Sequence, residues 1–239
     1  LTELLENLSS SLGSVDGGIY ATEREVKNVL LVTITSNRGL CGGFNAYIIK
    51  SAKALINDRY IDAKVAILSI GKKSSEHLRK NDFNVASSHD DLFNDLTFDN
   101  VAKVAEGIME QFVAGEYDKV VLVYNQFKNA ATQVIMNENY LPIQTTDIKG
   151  GQIGDYLFEP GKKEIVDELI PKSLKTQLFK AILDSHAAEH GARMTAMHKA
   201  TDNAGELKKD LTLTYNKARQ AAITGEILEI VGGAEALNG

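Results

Sequence analysis

Three stretches of the chain carry side chains whose types and spacing can do chemistry. Residues 34–45 (ITSNRGLCGGFN) put Gly39, Gly42, Gly43, Cys41 and Arg38 between a β-branched run and an amphipathic one. That is where a phosphate-binding loop sits, with backbone N–H groups facing an anion. The glycine spacing matches neither G-x-G-x-x-G nor G-x-x-x-x-G-K-[ST]. A tight turn that packs Phe44 on a sheet accounts for the glycines more simply. A nucleotide- or small-molecule-binding α/β enzyme using the Gly39–Gly43 loop is the alternative reading. Cys41 beside Arg38 could gain thiolate character, but no histidine stands next to it, and a small packed side chain is the plainer account. His186-Ala-Ala-Glu189-His190 matches H-x-x-E-H, an inverted zinc-protease pattern. The histidines share a helix face. His198, twelve positions after His186, falls about 120° around the helix and cannot be the third ligand of a catalytic zinc. Asp90, Asp91, Asp95 and Asp99 lack the glycine-containing spacing of a calcium loop and fit a solvated loop or helix start. His77 and His89 are isolated. No catalytic, metal-binding or cofactor-binding residue is expected.

The elements that position these residues alternate. Residues 29–35 (VLLVTIT), 64–70 (KVAILSI) and 118–124 (DKVVLVY) are β-branched runs suited to buried strands. Residues 82–86 and 132–137 read as further strands. Helical spacing marks 44–57, 71–80 and 97–112. Strand, helix, strand, helix implies a mostly parallel sheet covered on both faces. The last quarter, from about residue 172 to 237, has no proline and is rich in Ala, Leu, Glu, Lys and Met. One helix of that length would run about 90–100 Å, too long to fit within its own domain. Pro171 is expected to kink or restart it. Met194, Met197, Thr201, Ala204, Lys208, Leu211, Tyr215, Ala218 and Ala222 recur by threes and fours, a coiled-coil-like seam that Lys208 interrupts. At the start, Leu1, Leu4, Leu5, Leu8 and Leu12 read as the last turns of a helix. The expected division is 1–18 (helix end and loop), 19–160 (Rossmann-like α/β domain) and 161–239 (long C-terminal helix).

The 239 residues carry 26 basic and 32 acidic side chains, a net charge of −6 that argues against a nucleic-acid partner. With the single cysteine, no intrachain disulfide can form. No apolar run approaches the ~20 residues that cross a bilayer, and no signal peptide is read.

Two long segments, 33–45 (TITSNRGLCGGFN) and 193–237 (RMTAMHKATDNAGELKKDLTLTYNKARQAAITGEILEIVGGAEAL), with 155–160 (DYLFEP), resemble the gamma subunit of the rotary ATP synthase. The resemblance covers the chain in order. It implies an α/β; Rossmann-like mostly parallel sheet domain plus a long C-terminal helix that forms one arm of an antiparallel coiled coil. It implies a central-stalk rotor of a proton-translocating synthase, not catalytic by itself, coupling c-ring rotation to ATP chemistry at alpha/beta sites. The implied partners are the alpha and beta subunits, the epsilon subunit and the c-subunit ring, with membrane contact only indirect. The implied location is the cytoplasmic face of the bacterial inner membrane, or the equivalent face of an energy-transducing organelle membrane. By motif match, Arg193, Arg219, Gln220 and Thr224 resemble the family's alpha/beta catch contacts, and Tyr156, Phe158 and Glu159 its c ring/epsilon foot. Two departures stand out. Position 225 is Gly where the family commonly has Gln or Glu, at about 1 kcal/mol of helix stability. The family's first long helix precedes the equivalent of Leu1, so the seam is expected to lack its partner arm, to leave the distal helix displaced or disordered or else self-associating through the bare face, and not to work as a rotor in that form.

Overall fold

The computed structural model describes residues 19–143 and 162–238, and within the last helix the side chains of 168–237. The leucines expected to end a helix at 1–13, the connector 144–160 and the DYLFEP residues Tyr156, Phe158 and Glu159 lie outside the described residues.

The β-branched runs form strands β1 (Asn28–Ile34), β2 (Lys64–Ile70), β3 (Val85–Ser88), β4 (Lys119–Asn129) and β5 (Thr132–Leu141). They lie in the order β3-β2-β1-β4-β5. The first four run parallel, and β5 returns antiparallel to β4 as a hairpin. At its turn, Asn129 Oδ1 accepts from the N–H groups of Ala131 (3.0 Å) and Thr132 (2.7 Å). The intervening helices are α1 (Phe44–Ala54), closed by a π turn at Leu55–Arg59, α2 (Lys72–Lys80) and α3 (Phe98–Val113).

The period of two along the strands sorts the core. Leu30, Val32, Leu68, Ile70, Leu122 and Tyr124 face α3 and the base of the last helix. Val29, Leu31, Ile67, Val121 and Val123 face α1 and α2. Continuing that second face, Thr33 and Ser69 are paired in register, and with Thr35 they meet Ser74 on α2. All four are fully or almost fully buried.

The last helix, α4, runs Lys162–Asn238 without interruption. Pro171 neither ends nor restarts it, so of the expected kink or restart the restart does not occur. Proline in a helix interior costs ~3 kcal/mol, but its neighbours Ile170, Leu174 and Leu178 are buried in the sheet core, and that burial holds the helix through the break. Tyr140 Oη donates to the Leu174 carbonyl (2.9 Å), Gln177 Nε2 to Glu138 Oε1 (2.7 Å), and Lys175 pairs with Glu106 of α3 (2.5 Å). Gly191 lets α4 approach the hairpin turn, since a Cβ there would stand 3.1 Å from Ala130 Cα and 3.2 Å from its carbonyl oxygen.

By packing, the chain divides into Leu1–Met194 and Thr195–Gly239. The second unit is helical through Asn238. Its helix passes through Gly205, Gly225, Gly232 and Gly233, and large apolar side chains stand exposed along it. Three of its threonines turn their hydroxyls back to the carbonyl four residues earlier: Thr201 to Met197 (3.0 Å), Thr212 to Lys208 (2.8 Å) and Thr214 to Asp210 (2.9 Å).

Candidate functional site

The glycine-rich loop between β1 and α1 is built as a closed structure. Asn45, one residue into α1, reaches back over it. Its Oδ1 accepts from the Ser36 N–H (3.0 Å), and its Nδ2 donates to Ser36 Oγ (2.8 Å) and Cys41 Sγ (3.2 Å). Cys41 is buried with Phe44 against Ala188 of α4. That is the packed role its surroundings suggested. Leu40 takes a left-handed φ of 62° and is 77% exposed at the loop's tip. The polar groups of this loop also serve the next helix. At the start of α2, the Lys72 N–H donates to Asn37 Oδ1 (3.0 Å), that of Lys73 to the Ser36 carbonyl (3.1 Å) and that of Ser74 to Thr35 Oγ1 (3.0 Å). The loop thus caps the next helix with its own polar groups.

Arg193 on α4 fastens this loop. Its Nη2 pairs with Glu189 (2.7 Å) and also donates to the carbonyls of Arg38 (3.2 Å) and Gly39 (3.3 Å). Glu189 is 9% exposed, so its carboxylate depends on that guanidinium. Arg193→Ala is expected to lower stability by about 2–3 kcal/mol, since hydrogen bonds to charged groups are each worth about 1.5–3. The 36–43 amides should exchange faster, and Arg193→Lys should recover only part, because an ammonium cannot span the same acceptors. Denaturant unfolding with hydrogen exchange measures both.

Sequence reasoning placed Arg193 with Arg219, Gln220 and Thr224. Arg193 lies in the first unit and these three in the second, where all three side chains are exposed. His186 and His190 do share a face of α4, with their Nε2 atoms 3.3 Å apart. Among the described residues, no group of three or more His, Cys, Asp or Glu side chains could hold a metal, so a three-ligand zinc hydrolase site is not formed there. A cleft between α1 and α2, about 630 Å³, went unnoticed in the sequence; Lys50, Lys53, Lys73 and Lys80 line it. Burial and the nearby Lys53 and Lys80 hold the His77 imidazole below its usual range, and its Nε2 meets Lys53 Nζ at 3.1 Å. The i, i+3 and i+4 spacing of these basic residues is legible, but the facing of the two helices is not.

The comparisons with known proteins agree with this geometry. The family described as ATP synthase matches residues 1–237. The ATP synthase gamma chain of Flavobacterium johnsoniae is 60% identical over 240 residues, covering 100% of this chain and 83% of that one. Among solved structures, a chain of the Tetrahymena thermophila mitochondrial ATP synthase central stalk and c ring aligns at TM-score 0.58 and 25% identity, over 84% of this chain and 99% of that one. A chain of the Euglena gracilis mitochondrial ATP synthase aligns at TM-score 0.69 and 22% identity, over 99% and 86%, and shares the fold. Among the described residues no helix is long and apolar enough to cross a membrane. A parallel-majority sheet whose glycine loop is closed by its own side chains, continued by a 77-residue helix, is thus the architecture of a central stalk, and the chain belongs to the ATP synthase gamma chain family, as a rotor subunit of the membrane-associated complex.

Proposed function

We propose that the chain couples rotation of a c-subunit ring to ATP synthesis or hydrolysis at alpha/beta sites, and is not itself catalytic. The observation that carries this reading is the surface of the second unit. Leu207, Leu211, Tyr215, Ile227, Ile230 and Leu237 are between 54% and 89% exposed on one continuous helix. So much apolar surface calls for enclosure by protein. The alpha and beta subunits fill that role. Arg219, Gln220 and Thr224 make polar contacts that differ between conformers of the surrounding subunits. Differential binding of this kind is what lets shaft angle and site state bias each other. Arg193 enters the same set through the loop it holds. Tyr156, Phe158 and Glu159 meet the c ring and epsilon. The Asn45 contacts that close the β1–α1 loop favour a structural loop over a nucleotide site. The subunit attaches peripherally at the cytoplasmic face of an energy-transducing membrane, or its organelle equivalent, and the pumped ion is the proton.

Reversing one charge tests the contact. Full-length subunit should capture alpha and beta subunits, and Arg219→Glu should lose that capture or uncouple the assembled complex. Equal capture and equal coupling by the variant would remove Arg219 from the contact set. Failure of the unaltered subunit to join any alpha/beta assembly would remove the function.

A further inference from the structure

His186 and His190 stand one turn apart on α4, in the part of the helix that packs on the sheet domain. Their Nε2 atoms lie 3.3 Å apart, with the rings nearly perpendicular at 87°. His186 is stacked on Phe93, centroid to centroid 5.7 Å, which fixes its ring. Its other neighbours on α4 are Glu189, already paired with Arg193, and the buried Ala188. Each imidazole thus directs the same nitrogen toward the other.

We propose that His186 and His190 form a two-histidine site for a borderline or soft first-row transition-metal ion, Cu2+, Ni2+ or Zn2+. The geometry decides it. A metal at the usual bond length of about 2.0–2.1 Å from both nitrogens, with those nitrogens 3.3 Å apart, subtends an N–metal–N angle of about 104–111° by simple trigonometry. That is close to a tetrahedral angle. With its proton on Nδ1, each ring turns its Nε2 lone pair to the ion. Water fills the remaining positions, since His190 is exposed. With two protein ligands and no third, this is a binding site rather than a hydrolytic one. An ion there would tie together the two helical turns just before the Arg193 clamp on the 38–39 backbone. By the usual order of divalent affinities, copper should bind tightest and zinc and nickel less so.

The test uses the assembled complex carrying the untagged full-length subunit, with its magnesium sites filled. Cu2+ is titrated against it and against complexes bearing His190→Gln or His186→Gln, with binding read by calorimetry and by nitrogen hyperfine structure in the copper EPR spectrum. The site predicts one additional Cu2+ per subunit with two-nitrogen coupling, and at least about tenfold weaker binding in each variant, the lower end of what even an outer-shell change does to a metal site. A His198→Gln variant should bind as the unaltered protein does. Equal Cu2+ binding and spectra in all three variants, or no two-nitrogen signal in the unaltered complex, overturns the proposal. If a variant assembles poorly, His190→Asn at the same helix position supplies the second comparison.

Discussion

Gly71→Ala is expected to destabilise the sheet domain by more than about 4 kcal/mol, the range reserved for a forced backbone rearrangement. Gly71 adopts φ +100°, where an added Cβ would lie 2.0 Å from the Thr35 carbonyl oxygen and 2.7 Å from its carbonyl carbon. Left-handed backbone alone costs an alanine about 1–2 kcal/mol, and backbone cannot yield to the clash as a flexible side chain would. Thr35 would have to withdraw. That breaks its N–H bond to the Ile70 carbonyl (2.8 Å) and its Oγ1 bonds to Ser74 Oγ (2.9 Å) and the Ser74 N–H (3.0 Å). These groups are buried, so each left unpaired adds about 1–3 kcal/mol. Gly39→Ala is the control. Nothing lies within 4 Å of a Cβ there, and the change should stay within about 0.5 kcal/mol. Denaturant midpoints of the two variants separate the cases. A Gly71→Ala protein as stable as Gly39→Ala would mean that the β1–α2 contact is not rigid.

The second large effect is expected at the joint between helix and sheet. Leu178 is fully buried among side chains of the sheet, α3 and α4. Leu178→Ala should cost about 2–5 kcal/mol, the range for a buried leucine whose site collapses incompletely. The same change bears on the proposed rotor role. Torque passing between the sheet domain and α4 has to cross this packing. In the assembled complex the variant should therefore lose proton-driven ATP synthesis more than ATP hydrolysis. The synthesis-to-hydrolysis ratio, measured beside the denaturant midpoint, is the readout. A lowered midpoint with an unchanged ratio would show that this packing holds the fold but does not carry torque.

Much of this was legible in the sequence. The runs VLLVTIT, KVAILSI and DKVVLVY announced three parallel strands, because both faces of each are buried and the apolar run is almost unbroken. The far half of β4 was not announced. Residues 126–129 (QFKN) lose their apolar signal because they form one arm of an increasingly exposed hairpin, and only the pairing with β5 makes them strand. The helix KKSSEHLRK has Leu78 as its one apolar residue, yet Ser74 and Ser75 are buried in it as well. A serine gives no periodic hydrophobic signal, so the hydroxyl cluster against Thr33, Thr35 and Ser69 could not be foreseen. Pro171 misled for the opposite reason: its local signal is strong, and the packing that overrides it is long-range. The histidine pair was readable as one face, but the convergence of its nitrogens was not, because Phe93, which fixes one ring, is remote in sequence. The same limit applies to Arg193, whose loop acceptors lie more than 150 positions away in sequence.

The threonines of the distal helix bear on how easily such a surface can slide. Thr201, Thr212 and Thr214 bond to their own helix. A bearing wall facing these positions therefore meets methyl groups and hydroxyl oxygens whose one donor is already used. No hydroxyl donor there has to let go of one partner and find another as the wall moves past, so these three sites add little drag through their protons.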